Sequence, residues 1–293
     1  MKIYDCFMYF DEDLLLDIRL NILDKYVKKF VITESTYLHS GKQKKLNFDI
    51  KNFRKFKEKI NYIVVDTPPP GIEEINTDDK EDIKSKKILD NSLKRENNQR
   101  KKLIDGINFA DDEDLILGSD LDEIPNLKNL NYKNKIILFE QNVFYYKLNL
   151  MQPNFKWIGT RACKKKQLLE FQWLRNIKGK AYPFWRVDTF FSTKKYTNIK
   201  IIKDGGWHFT NMKKPEDIDY KMRNFMHHLE YEESGLGVKD LKKIISERKI
   251  MYDHSVDKRK NKWKASTTLE KIDDDQLPEY LIENKSKYFE WFA

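Results

Sequence analysis

Three acidic side chains follow an apolar run near the middle of the chain. Residues 115–118 read Leu-Ile-Leu-Gly, and Asp120, Asp122 and Glu123 come within the next five positions. In extended backbone, side chains two residues apart point the same way, so the two aspartates would converge. Converging carboxylates repel each other and lose solvation unless a cation lies between them. The pattern therefore indicates a Mn²⁺ or Mg²⁺ site completed by substrate phosphate oxygens, with Glu123 orienting the ligands from behind.

Two enzyme classes use such a motif. In haloacid-dehalogenase-like metal phosphohydrolases, the first aspartate, here Asp120, is the nucleophile. Their motif lies near the N-terminus and continues with Thr or Val, where this chain has Ile124. Nucleotide-sugar glycosyltransferases of the GT-A type carry Asp-x-Asp in mid-domain, after a nucleotide-binding half. The chain position favours the glycosyltransferase, and an acidic surface turn is the alternative without a function.

Composition indicates a folded domain with anionic partners. Of 293 residues, 40% are hydrophobic and 13% aromatic, which excludes a disordered chain. The formal net charge of +9 suits nucleotide diphosphates and is compatible with peripheral contact with an anionic membrane. The lysines are spread out, with no basic helix or Cys/His finger, so we expect no nucleic-acid partner. A non-enzymatic protein that binds nucleic acid or an anionic surface remains the third hypothesis.

Apolar strand patterns and helical patterns alternate over the first 140 residues. This order predicts an α/β fold with a mostly parallel sheet and helices on both faces. We expect one domain over 1–293, with a nucleotide-binding half (1–125) ending in Asp-x-Asp and an acceptor half with C-terminal helices (126–293). Ligands of such sheets bind beyond the carboxyl ends of the strands. Glu34 and Ser35 end one predicted strand, so Glu34 could contact a uridine or simply cap a turn.

Several motifs match a known family in order and spacing. They are residues 4–35, "SGKQKKLNF", "KRENNQRKKLIDG", "ILGSDLDEIP", "GGWHFTNMKKPEDIDYKM" and "LPEYLIENKSKYF". Together they resemble glycosyltransferase family 17, the β-1,4-mannosyl-glycoprotein N-acetylglucosaminyltransferase-like enzymes. The resemblance implies a GT-A fold, an inverting mechanism, a UDP-sugar donor, most plausibly UDP-GlcNAc, and a glycan or glycolipid acceptor. It also implies that Arg95 or Arg100 reaches the nucleotide, whereas spacing alone equally predicts a Glu96–Arg100 ion pair.

The remaining candidates lie in the second half. His208, in "GGWHF", is either a late metal ligand or a core histidine, and Trp207 packs on the sugar nucleotide or in the core. "KWIGTRACKKK" predicts a glycine loop near the donor sugar, with Trp157 and Gly159, or a basic surface loop.

An inverting transfer also needs a carboxylate base on the acceptor hydroxyl. The candidates are Asp217, Glu230 and Asp188, with His227 nearby in sequence. Asp217 equally suits capping of a helix start. Acids interrupt the apolar N-terminal stretch and no run of 18 apolar residues occurs, so we expect a cytoplasmic protein.

Overall fold

The computed structural model describes residues 1–225, 228–256, 261–264 and 267–293. Its strands are β1 (Ile3–Met8), β2 (Lys29–Ser35), β3 (Ile60–Val65), β4 (Leu115–Asp120), β5 (Glu123–Pro125), β6 (Ile136–Tyr145), β7 (Leu150–Lys164), β8 (Ile199–Ile202), β9 (Gly206–Thr210) and β10 (Glu270–Lys271). Its α-helices are α1 (Asp13–Leu23), α2 (Glu81–Lys101), α3 (Phe171–Asn176), α4 (Pro215–Met222), α5 (His228–Ser234), α6 (Val238–Ser246) and α7 (Glu279–Glu283).

The ten strands form one mixed sheet in the order β3-β2-β1-β4-β7-β6-β9-β5, with β8 paired to β6 and β10 to β7. The predicted α/β class is confirmed. Strands β3, β2, β1 and β4 are parallel neighbours, as expected. The second half departs from a mostly parallel sheet, because β7 runs antiparallel to both β4 and β6.

The side chains of each central strand point alternately to the two faces of the sheet, and both faces are buried. On β4, Leu115 and Leu117 pack into a core shared with α1, whereas Ile116 faces the opposite core with Phe171 of α3. Gly118 lies under α3, where a Cβ would come within 3.1 Å of the Phe171 ring. Because helices cover both faces, the central strands are apolar at nearly every position.

Strand β7 replaces the loop that the sequence predicts around residues 156–166. The glycine-loop prediction for "KWIGTRACKKK" is wrong, because this stretch pairs with β4 on one side and β6 on the other. Residues 159–163 are buried on both faces of the sheet, with Ala162 and Cys163 in two different cores. Only residues 165–167 turn, in a short 3₁₀ helix.

A buried ion pair joins β1 to α1. The Arg19 guanidinium donates to both carboxylate oxygens of Asp5, at 2.8 and 2.6 Å, and both side chains are fully buried. The two-pronged geometry matches a planar guanidinium to a planar carboxylate. This pair determines how α1 sits against the sheet.

Among the described residues, no helix has the length and apolar character that a bilayer crossing requires. The longest, α2, begins with Glu81 and Asp82 and ends with Arg100 and Lys101, so its charges complement the helix dipole. It continues into a 3₁₀ helix over Lys102–Ile107 that packs on β2 and β3.

We expect Arg19→Met to destabilise the fold by about 3–5 kcal/mol, because it leaves the Asp5 carboxylate buried without its partner. Urea unfolding at pH 7 measures the change. Lys25→Met is the matched control, since the Lys25–Glu279 pair is more than 60% exposed on both sides and should contribute less than about 1 kcal/mol. Equal losses in the two variants would contradict this account.

Candidate active site

A cavity of about 500 Å³ opens at the carboxyl edge of the parallel strands. Its walls include the ends of β1 and β4 and residues that follow β1, β2 and β4, namely Met8, Tyr9, Phe10, Glu12, 37–39 and 120–123. Further walls come from α2, α3, β7, β9, α4 and the residues Met251, Tyr252 and His254. The register places Met8 beside Asp120, so the strands end together at this edge. This is the edge where open α/β sheets bind ligands.

Two arginines hold the Asp120 carboxylate. Arg175 of α3 donates to Oδ2 at 2.5 Å, and Arg100 of α2 approaches Oδ1 at 3.3 Å. Arg100 also forms the i,i+4 pair with Glu96, at 2.6 Å. Burial raises the pKa of Asp120, but Arg175 and Arg100 outweigh it and hold that pKa well below its usual range. Asp120 is therefore a fixed anion at the cavity wall.

Glu123 is buried and holds the same turn in place by hydrogen bonds. Its Oε1 accepts from Trp157 Nε1 at 2.7 Å, and its Oε2 accepts from Arg175 at 2.5 Å and from the Asp120 backbone N–H at 3.0 Å. Gly159 leaves the space for this carboxylate and for Gln141, since a Cβ there would lie 1.8 Å from Gln141 Oε1 and 3.1 Å from the Glu123 carboxyl carbon. Glu123 thus orients Trp157, Arg175 and Asp120 with its own oxygens, and Gly159 makes room for it.

Asp122 and His208 form the second half of the acidic turn. Strands β5 and β9 pair Glu123 with His208, which brings His208 Nε2 to 3.4 Å from Asp122 Oδ2. Gly206 permits this pairing at φ +137°, since a Cβ would meet the Ile124 carbonyl. Burial lowers the pKa of His208, but the Asp122 carboxylate outweighs it and raises that pKa overall.

Asp122 and His208 are suitable ligands for a divalent cation that also binds a phosphate-bearing substrate. In the described ranges no group of three or more His, Cys, Asp or Glu is placed to hold a metal ion. Asp122 and His208 offer one oxygen and one nitrogen ligand, whereas Asp120 is neutralised by arginines. A Mn²⁺ or Mg²⁺ ion would take its remaining ligands from a diphosphate and water, which is how these ions commonly bind.

Arg19 supports the turn from the buried side. Its Nη1 donates to the carbonyls of Asp120, Leu121 and Glu123 at 3.2, 3.1 and 2.8 Å, and its Nη2 donates to Ser119 Oγ at 2.6 Å. One guanidinium therefore satisfies the backbone that places the acidic side chains.

An ion pair between Glu12 and Lys221 also lines the cavity, at 3.0 Å and nearly buried. Burial raises the pKa of Glu12, but Lys221 and Lys213 lower it to about 2. Sequence reasoning missed this pair and Arg175. The position of Glu12 just after a strand, at the same sheet edge as Asp120, was the available signal.

Five of the sequence candidates for nucleotide-sugar binding lie outside the cavity wall. Glu34 is fully buried, and its carboxylate holds residues 44–48 by accepting from Lys44 Nζ and from the Asn47 and Phe48 backbone N–H groups. The other four are Gly159, which is buried within β7; Ser35, which is also buried; Arg95, which donates to the His39 carbonyl at 3.1 Å; and Trp207, whose Nε1 donates to the Gln276 carbonyl at 2.8 Å. Arg100, Asp120, Asp122, Trp157 and His208 do meet in the cavity.

The candidate bases are scattered. Asp188 lies in a salt bridge on the surface segment between α3 and β8, and Asp217 is exposed on the first turn of α4. Glu230 is half-buried on α5. Burial of Tyr252, a cavity residue, raises the pKa of that tyrosine, and the negative charge of Glu230 raises it further. His227 lies outside the described residues. Glu230 is thus the sequence candidate that acts electrostatically on the cavity wall.

The Glu12–Lys221 pair predicts a stability change in acid. The folded-state pKa of Glu12, about 2, is below its ordinary value of 4.5, so the pair stabilises the fold above about pH 4.5 and loses this effect as pH falls toward 2. We expect Glu12→Gln to cost about 2–3 kcal/mol at pH 7 and progressively less between pH 4.5 and 2. Urea unfolding of both proteins across this range measures the gap. A gap that stays constant with pH would contradict the assignment.

Comparisons with known proteins give the chain its family. A search of curated protein sequences finds no match. The family model described as Glycosyltransferase family 17 matches residues 1–291, nearly the whole chain. This match covers the acidic turn, both halves of the sheet and the C-terminal helices. The chain therefore belongs to glycosyltransferase family 17 and is a glycosyltransferase.

Proposed function

We propose that this glycosyltransferase transfers GlcNAc from a UDP-sugar to a glycan or glycolipid hydroxyl, with inversion and with a bound Mn²⁺ or Mg²⁺. The observation that carries the proposal is the Asp122–His208 pair facing the cavity beside the arginine-neutralised Asp120. Asp122 and His208 would hold the divalent ion, which would supply Lewis-acid stabilisation of the leaving UDP. The expected cellular setting is the cytoplasm.

Five carboxylates and four cationic side chains line the cavity. Arg100, Arg175 and Lys221 are each paired with a carboxylate, so the proposed divalent ion would supply the charge that a diphosphate needs. The parallel strands β3-β2-β1-β4 followed by an antiparallel β7 support the GT-A expectation for the nucleotide half. In this arrangement the nucleotide would lie over the carboxyl edge of the parallel strands, and the diphosphate would reach Asp122.

Aromatic side chains support a sugar subsite. Trp157 lies between the rings of His208 and His254, with centroids 5.7 and 5.2 Å away, and Tyr252 stacks edge-on against His254. All four line the cavity next to Asp122. Aromatic faces exclude water from a sugar ring, and the hydrogen bond from Trp157 to Glu123 fixes the orientation of the indole.

Inversion requires attack on the anomeric carbon from the side opposite UDP, with loss of the acceptor proton to a base. We assign this role to Glu12 or Glu230. Glu12 lines the cavity, where its ion pair with Lys221 lowers its basicity until that ammonium is displaced, and, beyond the effect of burial, the charge of Glu230 raises the pKa of Tyr252. In the same step the new glycosidic bond forms, the bond to UDP breaks, and the carboxylate takes the hydroxyl proton.

The phosphohydrolase alternative is weaker at this site. Its nucleophile would be Asp120, yet both oxygens of that carboxylate are bound by arginines. Such pairing lowers the nucleophilicity of a carboxylate and blocks its approach to phosphorus. The family match likewise supports glycosyl transfer over both remaining alternatives.

We expect Asp122→Asn and His208→Gln each to lower kcat/KM for sugar transfer by about 100-fold or more, since each removes a ligand of the ion that stabilises the leaving group. Titration calorimetry with UDP and Mn²⁺ should show the same loss, and EDTA should abolish binding to the unaltered protein. Asp204→Asn is the matched control, because Asp204 is an exposed aspartate whose φ of +47° suits asparagine. Full activity in the first two variants would overturn the metal assignment.

The base assignment is tested separately. If Glu12 or Glu230 is the base, its Gln variant should lower kcat by about 100-fold or more while leaving UDP-sugar affinity within about threefold. Single-turnover transfer to a defined acceptor gives kcat, and thermal shift with UDP-GlcNAc, UDP-glucose and UDP-galactose gives donor affinity and preference. Unchanged kcat in both variants would exclude both carboxylates.

A further inference from the structure

The segment between α3 and β8 forms a loop with a closed base, which we call the aromatic loop (residues 178–196). Its two legs are joined by hydrogen bonds from the Lys178 N–H to the Lys194 carbonyl, at 2.8 Å, and from the Tyr182 N–H to the Tyr196 carbonyl, at 3.2 Å. The Trp173 indole on α3 donates to the Tyr196 hydroxyl at 3.0 Å. The base of the loop is thus anchored to the body of the protein.

The tip of this loop is apolar and faces solvent. Five large apolar side chains within eight residues are each between 67% and 87% exposed: Phe184, Trp185, Val187, Phe190 and Phe191. Isolated exposed apolar residues are ordinary, but a contiguous group of this kind marks an interaction surface. None of the five lines the cavity, so the proposed sugar chemistry does not account for them.

Positive charge surrounds the tip. Residues 178–200 hold six basic side chains and one acidic one, Asp188. Asp188 is itself neutralised by Arg186, at 2.7 Å, and by Lys195, at 2.7 Å. An apolar tip on a cationic base is complementary to a surface that is apolar inside and anionic outside.

We propose that the aromatic loop docks the enzyme on an anionic lipid bilayer, with the tip inserted among the acyl chains and headgroups. Phe and Val side chains carry no hydrogen-bonding group, so they gain most from an apolar phase, whereas an indole such as Trp185 favours the membrane interface. Basic residues at the base would contact lipid phosphates. A sugar platform would instead need polar groups available beside the rings, whereas Arg186, Asp188 and Lys195 are paired with one another. A protein partner would not require the excess of lysine.

This proposal is independent of the metal and base assignments. It places the catalytic domain at a membrane surface, where a lipid-linked acceptor hydroxyl would be presented at high local concentration. Loss of membrane binding would therefore leave transfer to a water-soluble acceptor intact.

The test is sedimentation of the full chain with vesicles of phosphatidylcholine alone or with about one-third phosphatidylglycerol. We expect at least about tenfold tighter binding to the anionic vesicles, weakening as salt is raised. Phe190→Ser with Phe191→Ser should reduce that binding by about tenfold or more, since it removes two inserted rings. Phe289→Ser, which alters a ring that is 68% exposed on the C-terminal 3₁₀ helix, is the matched control and should bind as the unaltered protein does.

A second measurement reports insertion directly. Brominated lipids should quench tryptophan fluorescence in the unaltered protein, and Trp185→Phe should remove most of that quenching. Circular dichroism and UDP-induced thermal stabilisation, unchanged in every variant, would show that the fold is retained. Equal binding to neutral and anionic vesicles, or undiminished binding of the double variant, would overturn the proposal. So would a concentration-dependent dimer that the double variant abolishes without any change in vesicle binding.

Discussion

The Arg19 guanidinium is the interaction on which the site depends. It is fully buried, and it links Asp5 on the central strand, Ser119 on the next strand and three carbonyls of the turn that follows. Five N–H groups in a planar fork are what such a set of acceptors requires, and lysine could not replace it. Because the turn is held from behind, its acidic side chains are directed into the cavity.

The positively charged side chains around that turn give its acidic residues two different roles. Arg175 and Arg100 neutralise Asp120, and Arg175 also binds Glu123, so neither of these carboxylates needs an external cation. Asp122 is paired with His208, and this pair is where we propose that a metal ion binds. The compensation explains why three acids can lie within four residues at the end of a buried strand. It also limits the ligands that remain for a metal to one carboxylate and one imidazole.

The two unusual surfaces of the protein differ in origin. The cavity is built from strand ends that the sheet register aligns, so its lining residues come from distant parts of the chain. The aromatic loop is a local feature, because its tip residues are neighbours in sequence and its base is closed by its own backbone. A local cluster of this kind stays together however the domain packs around it.

The sequence by itself determined the α/β class, the strand ending at Asp120, the i,i+4 pair of Glu96 with Arg100 and the family resemblance. These rest on short-range patterns: apolar periodicity, residue spacing and ordered motifs. Only the tertiary structure decided that residues 150–164 form a strand, that Glu34 supports a loop, and that Arg175 and Glu12 face the cavity. The reason is physical, since a short stretch of mixed basic, polar and apolar residues has no clear period and becomes a strand only when neighbouring strands pair with it. An ion pair such as Arg175–Asp120 joins residues 55 positions apart, and no local pattern encodes that distance.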